Sequence, residues 1–560
     1  MSIPLEVSMR EHLSRLVFTL ALLIAICLPS AALGQGASAL GKISFETSGS
    51  SASQTHFLRG VAALHSFWFE EALDEFRQST KADPNFMMGY WGESMALNHP
   101  LWSEQDTEAA KQVIKKIRDD VKVTDRERAY LNAVKALYGE GDKLARDMAY
   151  CAAMEKIYSN YPDDLEAAAF YALSLLGAVR PGDKGYRAQA LAGAIALDVY
   201  ARNPDHPGAA HYIIHAFDDP EHAILALPAA RRYAQIAPDA HHARHMPAHI
   251  FLQLGMWPEA AASNESAWTV SDEWVKRKHL SLSARDYHSL HWLMYVYLQQ
   301  GRVSAARQLL ATMQKTMAES KDEDRLRPNY YANNYATMAA TLIVETEQWE
   351  LASSLFGAYS NDALEGGSKD LVKDPMMGEH AGHGPTAAAT TPRRSDAGNA
   401  LPVFVRSLAG LAKNSADIAI ASAGEGASPA RRIYALELTA VAAAVHGRMN
   451  EAIDSMKKAC GIEENMSPPS GPPTLIKPSH ELYGEILLRA QRTKEAAEQF
   501  RHCLLRQPNR ARSLLGLARA EAQAGNREEA RSIYSKLLKQ WQQADDNLVE
   551  IKEARGYLSK

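Results

Sequence analysis

Histidine is the residue type whose distribution first points to chemistry. Eleven of the 20 histidines fall between His206 and His291. His211 and His215 are four residues apart, His245 and His249 are four apart, and each member of the second pair follows its counterpart by 34 residues. On a helix, residues four apart lie on one face, one above the other. Neutral imidazole is a standard ligand of zinc and copper, so a pair on one helix can grip an ion that a facing pair completes. These four residues are therefore a candidate zinc or copper site. Asp218 and Asp219 follow the first pair closely enough to take its ring N–H groups or to join as ligands. With Glu221 they are the nearest acid–base groups, should such an ion serve a metal-dependent hydrolase. Two other readings of the same rings stand beside this one. A histidine-lined surface can hydrogen-bond the carboxylate or aromatic groups of a peptide, and buried rings can be packing residues capped by backbone carbonyls. Met376, Met377, His380 and His383 form another group of soft and borderline ligands, suited to copper.

Other catalytic signatures are missing. Gly177 to Lys184 has Asp183 where a phosphate-binding loop needs Gly-Lys, and the segment from His480 to Gly484 lacks the second histidine of a zinc-protease helix. No Gly-x-Ser-x-Gly elbow occurs.

The elements that must position the histidines are helices, because the chain is rich in Ala, Leu, Glu, Gln and Arg and shows no sustained period-two alternation. Self-similarity decides their arrangement. Gly60, Phe69, Ala72, Phe76 and Pro84 are matched in spacing by Gly484, Ala496, Phe500 and Pro508. A Gly-x-x-x-x-Ala turn recurs at Gly255–Ala260, Gly301–Ala306, Gly447–Ala452 and Gly525–Ala530. Small residues let two helices approach, an aromatic fills the gap between them, and proline ends the second helix.

These motifs resemble the tetratricopeptide repeat, a helix-turn-helix unit of about 34 residues. The resemblance implies an all-α superhelix, a solenoid whose first helices turn their second, fifth, ninth and thirteenth positions to a concave groove. With residue 207 as first position, His211 and His215 fall at the fifth and ninth, and His245 and His249 repeat them one unit later. His242 and His288 fall at second positions, His291 and Trp91 at fifth positions, and His65 and His99 at thirteenth positions. Asn333 and Asn334 add amides that can hold an extended peptide backbone. The segments 210–219 and 243–255 also resemble a group of uncharacterised exported bacterial proteins of this repeat family with paired His-x-x-x-His helices. No activity comes with that resemblance.

Composition fits a packed chain: 46% hydrophobic and 23% charged residues, with a net charge of −5 that offers no basic footprint for nucleic acid. Residues 1–35 read as a signal peptide, with Arg10 and Arg15 before the apolar run from Leu16 to Leu28 and small residues after Pro29. That run is short for a bilayer span of about 20 residues, so the mature chain is expected to be exported, periplasmic or extracellular, without a stable membrane span. The repeats divide into an N-terminal array, 53–360, irregular around 119–160, and a C-terminal array, 401–560, ending in a capping helix from Asn547. Residues 366–400 join them as a disordered loop, and the proline-rich run from Ser467 to Pro473 is a shorter insertion. The leading expectation is a non-enzymatic scaffold that binds a protein or peptide in its groove, without a firmly assigned cofactor. The alternative is a zinc or copper protein built on the histidine pairs.

Overall fold

In the first hairpin and in one near the C-terminus, a single aromatic ring sets how closely the helices pack. A Cβ at Gly60 would fall 2.8 Å from the Phe76 ring, and one at Gly92 would overlap the same ring. Phe500 is held in the same way between Gly484, at 2.8 Å, and Gly516. Both rings are fully buried. A side chain at any of these glycines would push the helices apart and open the core.

The computed structural model describes residues 39–102, 104–179, 185–319, 330–356, 395–413 and 427–560. Residues 1–35, expected to be a signal peptide, and most of the 366–400 stretch, with Met376, Met377, His380 and His383, lie outside the described residues. Ser395 to Ala400, placed in that loop by composition, instead begin the helix Ser395–Ala412.

Helices pair in consecutive hairpins: Ser51–His65 with Phe69–Ala82, Leu165–Gly177 with Arg187–Arg202, and Pro207–Ala216 with Ala223–Ile236. In the second cluster Pro429–Val445 pairs with Met449–Glu464, Ser479–Arg489 with Thr493–Arg506, and Ala511–Gln523 with Arg527–Gln540. Val549–Leu558 packs on the last of these, where a capping helix is expected. The turn glycines Gly255, Gly301, Gly447 and Gly525 have φ of 65°, 71°, 74° and 84°, the left-handed region that closes a hairpin without Cβ strain.

The stretch around 119–160, irregular by spacing, is itself a hairpin of Asp125–Leu137 and Lys143–Asn160. A reciprocal Thr124–Glu127 cap starts it, which a search for glycine and alanine spacing does not register. A two-residue ladder, Asn98–His99 with Glu104–Gln105, interrupts the helices. Cys151, Cys460 and Cys503 are free thiols.

The C-terminal repeats dock on the N-terminal ones, and buried Arg510 is the fastener. Its guanidinium donates to both Glu481 oxygens at 2.7 and 3.0 Å, to Glu345 at 2.6 Å and to the Tyr295 hydroxyl at 3.2 Å. Gln299 accepts from the Ala511 backbone at 2.9 Å, and the Gln299 carbonyl accepts from Trp541 at 3.1 Å. Removing one partner of such a buried network leaves uncompensated charge. Arg510→Met is expected to cost about 3–5 kcal/mol in denaturant unfolding. A loss below about 1 kcal/mol would show that Arg510 is not what fastens the two clusters.

Candidate metal centre

Three successive inner helices carry the histidines. Pro207–Ala216 begins with proline at its first position, where no donor is lost, and the His206 ring accepts from the Ala209 N–H at 3.1 Å to cap it. Next come His241–His245 and Pro247–Gln253, separated in hydrogen bonding because Pro247 has no N–H. Met246 between them keeps helical dihedrals of −53° and −35°, so His245 and His249 remain one turn apart. Tyr287–Gln299 follows, capped by Asp286, and brings His288 into the same layer.

The rings fall into two trios. In the first, His211 Nε2 lies 2.9 Å from His215 Nε2 and 3.1 Å from His242 Nε2. In the second, His245 Nε2 lies 3.2 Å from His249 Nε2 and 3.1 Å from His288 Nε2. Each set could hold a metal ion, with its ligand atoms all within 4.8 Å of one another. Five of the six histidines are buried and His288 is half-buried. Phe67 packs on the first trio, with centroids 4.3 Å from His211 and 5.6 Å from His215. Trp292 packs on the second, 4.3 Å from His249 and 4.9 Å from His245.

The outward nitrogens fix the tautomers. His211 Nδ1 donates to the His65 carbonyl at 2.7 Å and His249 Nδ1 to Asp218 at 2.6 Å. His245 Nδ1 donates to Asn264 Oδ1 at 2.7 Å, and the Asn264 amide is itself oriented by donating to the Ala260 carbonyl at 2.8 Å. With the proton on Nδ1, each of these rings turns its Nε2 lone pair inward. Burial pushes the imidazoles of His245 and His249 down to about 3, the neighbouring His249 adding to the effect at His245. Burial, then His211, also drives His242 well below the usual histidine range.

The repeating hairpins have a counterpart in sequence, since residues 487–549 match the tetratricopeptide repeat family. That segment is a tetratricopeptide repeat, and the hairpins before it have the same all-α architecture. Repeats of this kind build protein-interaction scaffolds. Similar solved structures include yeast Tom70, at 9% identity over 90% of this chain and 88% of that one, with a TM-score of 0.23. The Cut9–Hcn1 hetero-tetramer of the APC/C matches at 12% identity over 91% and 96% of the two chains, with a TM-score of 0.28. The P58(IPK) tetratricopeptide domain matches at 12% identity over 90% and 98%, with a TM-score of 0.20. None of these superpositions is close. No curated protein matches the sequence. Among the described residues, no helix is long and apolar enough to cross a membrane.

The repeat frame places His211, His215, His245 and His249 on neighbouring helices, but they do not close around one point. Each pair takes its third ring from the second position of the following repeat, so His242 and His288, read from sequence as groove residues, complete the two trios. Asp218 accepts from His249, a ring of the second pair rather than of the first pair that it follows in sequence. Asp219 does not reach either trio, because its carboxylate accepts from the backbones of Glu221 and His222 at 2.9 and 3.1 Å. Glu221 is exposed, away from acid–base contact with the rings.

The expected groove residues are mostly interior. Trp91 sits in the core against Phe45, Tyr130 and Phe170 at 5.6, 5.7 and 5.3 Å. His65 is buried, bonded to Glu166 at 2.7 Å and to the Tyr212 hydroxyl at 2.8 Å. His99 stacks on Phe69 at 4.0 Å. His291 is half-buried and belongs to neither trio, as do Asn333, half-buried, and Asn334, buried, on the helix Tyr330–Thr346. Sequence reasoning missed Asn264, Gln253, Phe67 and the third close-packed group of His65, Glu166 and His206. Asn264, Phe67 and Glu166 carry no spacing signal, since each reaches the histidines from a different helix or turn, whereas Gln253 lies one turn beyond His249 on the same helix and bonds Asp218.

Nitrogen-15 histidine spectra of the metal-free protein should show His211, His245 and His249 as Nδ1–H tautomers at neutral pH. Because the folded value for His245 and His249 is depressed, both rings should remain neutral at pH 5, where exposed histidines are charged. The stability they contribute is full above about pH 6.5 and is lost as pH falls toward 3. Nε2–H tautomers, or protonation near pH 6.5, would refute this assignment.

Proposed function

We propose that the chain is an exported tetratricopeptide scaffold whose N-terminal array carries a transition-metal centre, one zinc or copper ion in each histidine trio. The observation that carries this is that in each trio two Nε2 atoms lie 2.9–3.2 Å from a third, His211 or His245, with all three ligand atoms within 4.8 Å of one another. A tetrahedral ion with metal–nitrogen bonds of about 2.0–2.1 Å sets its ligating nitrogens about 3.3 Å apart. In the second trio the Nε2 lone pairs of His245 and His249 face each other at 3.2 Å, a repulsion that a shared cation would relieve, and burial disfavours a proton in that role. All-imidazole donors suit zinc or copper rather than magnesium or calcium, which take oxygen. Three protein ligands leave a fourth position for water or another ligand.

The leading expectation of a histidine-lined peptide groove loses support at these positions, since His65, His211, His215, His245, His249 and Trp91 expose almost no surface. A protein or peptide partner fits the remaining surface of the solenoid, as repeats of this kind serve elsewhere. A hydrolase gains little support: Asp218 is committed to His249 and Gln253, at 2.6 and 3.3 Å. Export to the periplasmic or extracellular space is supported by Arg10, Arg15 and the apolar run that follows them.

Metal analysis of the mature chain, purified without a histidine tag and exposed to zinc or copper, should find two equivalents. His211→Ala with His215→Ala should leave one, and His245→Ala with His249→Ala should leave the other. Each occupied site should raise stability by about 2.7 kcal/mol at free metal of 100 times its Kd. Absence of metal from the wild type, or a metal content indifferent to both double variants, would defeat the proposal.

A further inference from the structure

The two trios are the same device used twice in succession. Each joins the fifth and ninth positions of one repeat to the second position of the next: His211, His215 and His242, then His245, His249 and His288. What matters further is how close they stand. The His215 and His249 ring centroids are 6.3 Å apart, and those of His242 and His245 are also 6.3 Å apart. Within the first trio, His215 and His242 are separated by 6.5 Å. The gap between trios is thus no wider than a gap inside one, and the six rings form one cluster.

Its surroundings are apolar on the ring faces and anionic behind. Phe67 covers the first trio and Trp292 the second, so the aromatic walls flank the cluster at its two ends. Buried carboxylates lie around the rim: Asp218 on His249 at 2.6 Å, Asp286 near His241 at 3.5 Å, and Glu166 on His65 at 2.7 Å. They offset the charge of two cations in a low-dielectric interior. The candidate ligand sets contain imidazole without carboxylate or thiolate, and three neutral nitrogens with one open position suit copper(I) as well as copper(II).

We infer that the two trios hold a pair of copper ions that bind one molecule of dioxygen between them. The inference rests on the metal reading above and adds that the ions are copper and act together. The step balances within the site. Each copper(I) gives one electron to dioxygen, the O–O bond drops from double to single order, and a peroxide bridges two copper(II) ions. No proton or external reductant is consumed, and release of dioxygen returns both electrons.

The test loads the untagged mature chain without oxygen with two equivalents of copper(I) and then admits dioxygen. The expected result is uptake of one dioxygen per two coppers, an intense near-ultraviolet band from peroxide to copper charge transfer, and little electron paramagnetic resonance signal although the copper is oxidised. His242→Ala and His288→Ala, each checked for unchanged helix content by circular dichroism, should abolish the band. Two bound coppers that give the full signal of isolated copper(II) would overturn the pair while leaving the metal reading intact. Copper that stays reduced under dioxygen would overturn it equally. Failure to retain any copper or zinc would instead bring down the metal reading itself.

Discussion

A buried imidazole has two nitrogens, and each needs a partner. That constraint organises the middle of the N-terminal array. The outward nitrogens of His211, His245 and His249 are met by a backbone carbonyl, an asparagine and an aspartate, drawn from elements far apart in sequence. The inward nitrogens then face one another, and the proposed cation would be shared by three of them at once. An unpartnered polar group in such an interior costs on the order of 1–3 kcal/mol. The arrangement is therefore stable as a unit, and removing any single outer partner loosens a ring that the others depend on.

Repeat architecture supplies this arrangement because translation by one unit moves a pair of side chains onto an equivalent neighbouring helix. The second array then helps to close it. Gln253, one turn beyond His249, donates both to Asp218 at 3.3 Å and to the Pro469 carbonyl at 2.8 Å. Gly471 packs so tightly on Trp292 that a Cβ there would overlap the indole. The proline-rich insertion thus lies against the ring that covers the second trio. Docking through Arg510 and shaping of the histidine cluster are consequently parts of one packing problem, although they involve different residues.

The fold was legible because its signals are local and periodic. Glycine at the turns 255, 301, 447 and 525, an aromatic between small residues and a terminal proline report on contacts within about 34 residues. The candidate site was half legible for the same reason. Spacing pairs His211 with His215 and His245 with His249, but it cannot say which residue of the next helix completes each trio, since that depends on helix rotation. The second-position rule that assigned His242 and His288 to a groove treated inward-facing as solvent-facing. In this chain the inner faces of successive helices close on one another and on Phe67 and Trp292, so the same positions are interior. Trp91 was misplaced by the same step. Arg510 gave no signal, because an arginine in a polar stretch looks like any exposed arginine until Glu345 and Glu481 are brought to it from elsewhere.

The series of trios ends where it does for reasons visible at both edges. One step before the first trio, the second position of the repeat is Gly208, and a Cβ there would overlap the His65 ring. His65 fills the place that a histidine at 208 would need, and its carbonyl in turn holds His211. One step after the second trio, the fifth position is His291 but the ninth is Tyr295, whose hydroxyl accepts from Arg510 at 3.2 Å. The third repeat therefore uses its inner face to fasten the C-terminal array where its predecessors use theirs to converge imidazoles. Two trios fit between a buried histidine on one side and an interarray fastener on the other, and a third would have to displace one of them.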